Sequence, residues 1–482
     1  MITFNARGIK APLIAKTKGL RDAAASATKM SSVAAGNMPN DLLPDLSIEP
    51  RAIDSLRPAT RQTRKMTAQQ IERVITSIQR FGFVGAILVK HDQIVDGHVR
   101  LEAMKALGPT EIPCIEVSHL SAEEVRLLSI SMNVIQEKGS WDLEPLRIEL
   151  IELKDAGFDL EITGLTMPEI DLVLLDPDAA SAADTLDAVP DVAPVVVSRL
   201  GDQWALGDHR LICGDACDPH VYAALLGSDR VATVFSDPPY NCKIEGNVSG
   251  LGKVVHGEFA MASGEMTDAE FGTFLTDYLA CCRDVCVDRA VIFACMNWRE
   301  YPRLETAGRA AELKQLSMVV WDKGAGGMGS PYRSCHEIVG VFCTGDTPAV
   351  NNVQLGKHGR DRTNVWHYPG ANKPGSSAAK ALKDHPTPKP VELVVNAILD
   401  FTSIGDIVLD PFMGSGTTIV ACMEAHRIAR GIELDPKYVD VALRRFMALS
   451  DTQPRLIETD ESFDEVAKRR ALETTAATEN HD

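Results

Sequence analysis

The apolar run Val231-Ala232-Thr233-Val234-Phe235 passes through Ser236 into Asp237-Pro238-Pro239-Tyr240, and this junction restricts the fold more than any other feature of the chain. A short apolar run bounded by turn residues reads as a buried strand. Consecutive prolines carry no N–H and end it. The tetrapeptide therefore stands at a strand's carboxyl end, where open α/β sheets hold their ligands. It offers a carboxylate acceptor, a backbone carbonyl freed by the prolines and a flat aromatic ring. An exocyclic amine on a flipped-out base needs that set. Alone, the same four residues also make an ordinary turn, since Asp and Pro favour turns.

The surrounding pattern supplies the context. Further strands are expected at 290–294, 318–321, 338–342, 407–409 and 429–434. Between them, Thr267 and Glu270 form a capping box ahead of Phe271, Phe274, Leu275, Tyr278, Leu279 and Cys282 on one helical face. Pro390 opens another helix, with Leu393, Val394, Ala397 and Ile398 on its buried side. Strands alternating with helices predict an α/β domain over 199–450, with a mostly parallel sheet and helices on both faces.

A smaller α+β region precedes it, over 44–175. Thr67 and Gln70 begin a helix whose apolar face is Ile71, Val74, Ile75 and Ile78, and Gly82 ends it. Strands at 86–90 and 93–95 follow. Asp96-Gly97-His98-Val99-Arg100 then opens a helix that stops at Gly108-Pro109. Residues 176–198 read as an acidic flexible linker: from 171 to 191 the chain has Asp171, Asp176, Asp178, Asp184, Asp187 and Asp191 but no Lys or Arg. Residues 451–482 read as a polar, frayed tail. Residues 1–43 read as a disordered basic arm, their Ala/Ser content faintly resembling a transit peptide, with no secretory signal.

The chain has 482 residues, and no apolar run reaches the roughly 18 that a membrane span needs. Its formal net charge of −18 is the wrong sign for a polyanion partner, so any such affinity must be local. The stretch 351–390 supplies a local excess with Lys357, Arg360, Arg362, Lys373, Lys380, Lys383 and Lys389 against Asp361 and Asp384. It reads either as a phosphate-facing segment or as a solvated loop. Eleven cysteines without a Cys-x-x-Cys pair are no disulfide framework. They read as small buried hydrophobes rather than metal ligands, and a cytoplasmic location is expected.

Val408-Leu409-Asp410-Pro411-Phe412-Met413-Gly414-Ser415-Gly416-Thr417-Thr418 is a strand, a glycine turn and a helix start. Glycines there let the backbone approach a ligand closely. No Lys follows Gly416, so it is not a P-loop. Ile419 also breaks the dinucleotide Gly-x-Gly-x-x-Gly pattern. About 20 residues on, Glu433 ends the next strand with a carboxylate able to accept the ribose hydroxyls of a nucleoside.

Together these residues resemble the DNA amino-methyltransferases, which move a methyl group from S-adenosylmethionine to an exocyclic base nitrogen. With Asp237-Pro-Pro-Tyr240 ahead of Asp410-Pro-Phe-Met-Gly-Ser-Gly416, the order resembles the permuted beta class and implies a Rossmann-like methyltransferase fold. His385-Pro386-Thr387-Pro388-Lys389-Pro390 and Gly214-Asp215 also match family elements, and the resemblance covers about 200–446. It implies catalytic roles for Asp237, Pro238, Pro239 and Tyr240. It implies cofactor contacts for Asp215, Asp410, Phe412, Gly414, Gly416, Thr417, Glu433, His385, Thr387 and Lys389, with no metal. Asp at the first catalytic position points to adenine N6, with cytosine N4 as the alternative. Target recognition of double-stranded DNA is expected within 345–384, where Lys357, Arg360, Arg362 and Asn364 are candidates along with Arg333. A rival reading is a DNA-binding regulator with a degenerate methylase half.

Ile94-Val95-Asp96-Gly97-His98-Val99-Arg100-Leu101 resembles the central motif of the ParB N-terminal domain, over about 45–135. Gly97, His98 and Arg100 are its motif residues. Nucleotide, DNA or a partner protein is the expected ligand there. Asn133 is not followed by the Arg of the second phosphate motif, which argues against CTP hydrolysis. A homodimer and a bacterial or prophage origin, as an orphan or restriction-linked methylase, complete the expectation.

Overall fold

The computed structural model describes residues 41, 43–59, 65–137, 141–175, 185–193, 195–241, 264–324, 326, 332–353, 362–369 and 389–479. The chain divides into two compact units, which change over at Asp142 and Leu143 apart from residues 162–164.

The first unit is a small α+β domain. Strands β1 (Ile48–Ala52), β2 (Ile87–Lys90), β3 (Gln93–Asp96) and β4 (Glu111–Glu116) form a sheet in the order β1-β4-β2-β3. Helices α1 (Ala68–Phe81), α2 (His98–Leu107) and α3 (Ala122–Glu137) accompany it. Its core is Ile53, Leu56, Ile87, Val89, Ile94, Leu101, Met104, Ile112 and Cys114. Thr67 accepts the Gln70 N–H at the start of α1, and Gly82 closes that helix, as the capping residues predict.

The second unit begins with α4 (Leu143–Asp155) and α5 (Met167–Leu174). Both lie C-terminal to the change-over, so the boundary differs from the one read at 175. The reason is packing: Leu150, Leu160, Ile170 and Leu174 cluster with Ile404 of the sheet domain. Asp171 also takes a bidentate pair from Arg427 at 2.6 and 3.1 Å, with both side chains buried.

Its sheet has ten strands: β5 (Gln203–Leu206), β6 (His209–Cys213), β7 (Val231–Ser236), β8 (Cys286–Met296), β9 (Lys314–Asp322), β10 (His336–Cys343), β11 (Val365–His367), β12 (Ile407–Asp410), β13 (Ile428–Glu433) and β14 (Arg455–Leu456). The order is β11-β9-β10-β8-β7-β12-β13-β6-β5-β14. The central strands β8, β7, β12, β13 and β6 are mutually parallel; β10 runs antiparallel to both β8 and β9, β11 pairs parallel with β9 at that edge, and β5 runs antiparallel to both β6 and β14 on the other flank.

Side chains alternate across this sheet as the strand period demands. Phe235 and Phe293 point into one core with α9 (Val391–Leu399), α10 (Thr417–Glu424) and α11 (Pro436–Leu449). Val234 and Ile292 point into the other, with α6 (Pro219–Leu226), α7 (Asp268–Val285) and α8 (Tyr301–Ala310). Each fully buried Leu, Val or Phe contributes roughly 1.5–3 kcal/mol.

Two expectations are corrected. The segment 451–482 is not a frayed tail throughout: β14 pairs with β5, and α12 (Phe463–Glu479) buries Phe463 and Val466. The Phe463 ring packs on that of Trp204, with centroids 5.5 Å apart. Within the acidic linker, Asp187 is buried and accepts the Val391 N–H at 2.9 Å, capping α9. The Val197 and Ser198 N–H groups bond Asp440. The described part of the linker, 185–193 and 195–198, is thus tied to the second unit.

Candidate functional site

β7 and β12 are neighbours, yet the chain leaves β7 for β8 on its other side and returns to β12 only later. The strand order therefore reverses between them. A crevice opens at such a switch point, outside the strands' carboxyl ends. Asp237 follows β7 there and Asp410 ends β12.

At the end of β7 the side chains form a compact charged cluster. The Tyr240 hydroxyl donates to Asp237 Oδ1 at 2.6 Å. Lys389 Nζ donates to Asp237 Oδ2 at 2.6 Å. Lys389 also lies 3.2 Å from Glu337 Oε2, and Glu337 Oε1 accepts from Lys323. The Tyr240 hydroxyl reaches Glu337 Oε2 at 3.3 Å. Lys389 and Lys323 lie over the Trp321 ring, 5.7 and 4.8 Å from its centroid. Burial pushes the Tyr240 hydroxyl well above its ordinary value, and Asp237 and Glu337 add to that. Burial acts to raise the Glu337 carboxyl, but Lys323 and Lys389 together hold it down at about 2. Burial acts to lower the Lys389 ammonium, yet Asp237 and Glu337 keep it raised. The result is a cluster of two carboxylates and two ammonium groups around one aromatic ring.

The end of β12 is built differently. Asp410 is buried and held by neutral donors, the Thr418 hydroxyl and the Phe412 N–H. Burial pushes its carboxyl up to about 7. The turn then needs left-handed backbone at Gly414 and Gly416, with φ of 52° and 83°. A Cβ at Gly416 would stand 3.0 Å from that of Ala442, so the loop is also close-packed on α11. The Gly414 N–H donates to Glu433 Oε2 and the Asp435 N–H to Oε1, each at 2.8 Å. Burial pushes Glu433 up to about 7 against those backbone donors. The Gly214 N–H donates to the Glu433 carbonyl at 3.0 Å, which sets Asp215 beside the same strand end. The acceptor set suits a cationic nucleoside: Glu433 retains lone pairs for hydroxyl donors, Asp215 adds a second carboxylate, and Phe412 presents a ring packed against Tyr278.

Other expected contacts land elsewhere. Thr417 is buried and accepts from Arg445 at 3.1 Å, so it braces the loop. Lys389, expected at the cofactor, has its ammonium on the Asp237 carboxylate. Arg362, expected to read DNA, pairs with Asp400 at 3.2 Å, lies over the Trp366 ring and is only 15% exposed. Asn364 donates to the Met318 carbonyl at 3.2 Å along the edge of β9, with its side chain exposed. Arg333 is exposed beside exposed Tyr332. Lys357, Arg360, His385 and Thr387 lie outside the described residues. Glu337 and Lys323 had no role assigned from the sequence, although the stretches that hold them, 332–337 and 321–324, also look like family elements; the signal for Glu337 was a carboxylate leading directly into the apolar run Ile338–Phe342.

In the first unit, Gly97 starts α2 with φ of 101°. Arg100 pairs with Asp96 at 2.7 Å, and a Cβ at Gly85 would collide with its guanidinium. His98 Nε2 accepts the Ala59 N–H at 3.4 Å, and burial lowers its pKa. These three motif residues form one turn with its own internal partners.

Comparison with known proteins follows the same division. Residues 231–444 match a family described as DNA methylase, 45–134 the ParB N-terminal domain, and 144–200 a ParB-methyltransferase HTH domain. Type II methyltransferase M.HpaI of Haemophilus parainfluenzae is 26% identical over 259 residues, covering 49% of this chain and 74% of that protein. Type II methyltransferase M.Cfr9I of Citrobacter freundii is 44% identical over 86 residues, 18% of this chain and 26% of its own length. Among solved structures, the M1.HpyAVI–SAM complex aligns at TM-score 0.35 and 19% identity, over 49% of this chain and 98% of that one. The cytosine-N4-specific PvuII DNA methyltransferase aligns at 0.39 and 14%, over 57% and 93%. Truncated ParB of Caulobacter crescentus with CTP-γ-S aligns at 0.24 and 19%, over 28% and 83%.

Proposed function

We propose that this chain, which belongs through residues 231–444 to the N6/N4 DNA methylases and carries ParB-type modules ahead of them, methylates adenine N6 in double-stranded DNA. Its cofactor is S-adenosylmethionine, which supplies an electrophilic methyl group on a sulfonium. Glu433, Asp215, Phe412 and the Gly414 turn are the residues that would hold it.

The chain's own part is acceptance and orientation. A base amine is a poor nucleophile because its lone pair is delocalised into the ring. Asp237 accepts one amine N–H and the Pro238 carbonyl the other, which favours a pyramidal nitrogen with a directed lone pair. Tyr240 stacks on the base once it is flipped from the duplex. Proximity and alignment account for much of the rate. As the nitrogen becomes cationic, the adjacent Asp237 charge stabilises it and its proton is readily lost.

One observation supports this most directly: the Asp237 loop and the Gly414 loop leave adjacent parallel strands at the sheet's switch point. Adenine is favoured over cytosine by Asp at the first catalytic position. The first unit reads as a nucleotide- or DNA-binding accessory, since its Gly97 turn opens a helix whose N-terminus suits phosphate.

The test is methyl transfer from labelled S-adenosylmethionine to unmethylated DNA, followed by nucleoside analysis. N6-methyladenine is the expected product. N4-methylcytosine would keep the enzyme class and change the base. Cofactor binding with no label in DNA would overturn the reading.

A further inference from the structure

Lys389 has two carboxylates within reach, and methyl transfer as described uses only one of them. Its Nζ is 2.6 Å from Asp237 Oδ2 and 3.2 Å from Glu337 Oε2. Its side chain is 6% exposed and that of Glu337 10%. A buried ammonium is costly to leave unpaired, so Lys389 must keep a carboxylate at every stage.

Its present place is unsuited to the reaction. Methylation puts positive charge on the amine nitrogen bonded to Asp237. An ammonium on the same carboxylate weakens it as an acceptor and repels that developing charge. Glu337 offers the alternative. It comes from β10 rather than β7, and Lys323 holds its Oε1. Its Oε2 is left facing both Lys389 and the Tyr240 hydroxyl. The carboxylate is therefore fixed in position, with one oxygen toward Lys389.

We propose that Lys389 is a two-position residue: it holds Asp237 before the base arrives and passes to Glu337 as the target amine takes the Asp237 carboxylate. Glu337 is then a positioning residue for methyl transfer. It need not touch the base, and it acts by drawing the competing cation away. No bond is made or broken in the exchange; one charge-assisted hydrogen bond replaces another. The inference rests on the methyl-transfer reading above.

The test is a double-mutant cycle in the full chain, using labelled S-adenosylmethionine and unmethylated plasmid DNA, with cofactor Kd measured beside kcat. Glu337→Gln keeps the shape but cannot take the ammonium's charge, so kcat should fall about 10- to 100-fold with cofactor Kd unchanged within about two-fold. Lys389→Met removes the cation that Glu337 acts on. The Glu337→Gln/Lys389→Met chain should therefore match Lys389→Met alone, since one residue works through the other. A purely structural Glu337 would instead give additive losses. Additive losses, or a wild-type kcat in Glu337→Gln, overturn the exchange. Should Glu337→Gln fail to fold, Glu337→Asp keeps the charge on a shorter arm. An intermediate kcat, non-additive with Lys389→Met, is expected there, and additivity again overturns the exchange. A wild-type chain that binds the cofactor and labels no DNA removes the functional reading itself, and the exchange with it. That result is distinct from any pattern among variants of an active enzyme.

Discussion

Two adjacent parallel strands each lead into an Asp-Pro, and the two aspartates sit in opposite electrostatic surroundings. Asp237 follows β7, keeps 21% of its side chain exposed and is bonded by an ammonium at 2.6 Å. Asp410 ends β12, is 4% exposed and is bonded by a hydroxyl and a backbone N–H. Burial pushes the Asp410 carboxyl up to about 7, which weakens its preference for the charged form. The difference teaches what each is for. A carboxylate paired with a movable cation at the crevice can take a new donor. One enclosed by fixed neutral donors holds the shape of the loop that follows it.

Applying one substitution to both positions breaks the comparison most sharply. Asp237→Asn keeps the size and removes the charge next to the reacting nitrogen. Methyl transfer should fall about 10²–10⁴-fold, the range of a positioned acid–base group, with cofactor Kd unchanged. Asp410→Asn should keep kcat within about ten-fold, because a neutral side chain can still meet Thr418 and the Phe412 N–H. Equal losses at the two sites in single-turnover assays would show that Asp410 also serves the chemistry.

Truncation gives the next largest effect. Asp410→Ala leaves the Phe412 N–H and the Thr418 hydroxyl without their acceptor, at a cost of about 1–3 kcal/mol. Denaturant unfolding should show that loss. Calorimetric titration should show weaker cofactor binding, since Gly414 and Phe412 lose their anchor. At saturating cofactor, kcat should largely recover. Unchanged unfolding would mean that the loop does not depend on Asp410.

How legible this was in the sequence depended on distance along the chain. The Asp237 turn was readable because a buried strand and two prolines are neighbours. The glycine loop and Glu433 were readable because a strand, a turn and a helix lie within one short stretch. Lys389 was placed near the site, but its partner was not visible, since it lies 152 residues from Asp237 and pairing at that range is decided by packing. The same holds for Glu337, 97 residues from Tyr240. The Asp400 partner of Arg362 was not legible either, because a basic stretch says nothing about which cations find a partner. Trp366 lay within the same stretch, but Asp400 did not. Phe463 and Val466 sit three apart in an otherwise polar segment, a weak helical stripe that composition alone averages away.

The smallest effect concerns pH and extends the comparison to the acceptor beside the glycine loop. Burial pushes Glu433 up to about 7, with Asp435 adding to it, well above the roughly 4.3 of a free glutamate. A carboxyl raised in the folded chain contributes stability that is full below the unfolded value and is lost as pH rises through about 7. Without ligand, ionised Glu433 is thus a strained acceptor. Hydroxyl donors and a nearby cation favour that ionised form. Cofactor affinity should therefore rise a few-fold between pH 6 and 8, and binding at pH 6 should release protons, which titration in two buffers of different ionisation enthalpy can count. Glu433→Gln should flatten the profile and abolish the release. Asp237 lies outside this loop, so Asp237→Asn should leave the cofactor profile in place while lowering transfer. If Asp237→Asn also flattened it, the two strand ends would form a single titrating unit and their division of labour would fail.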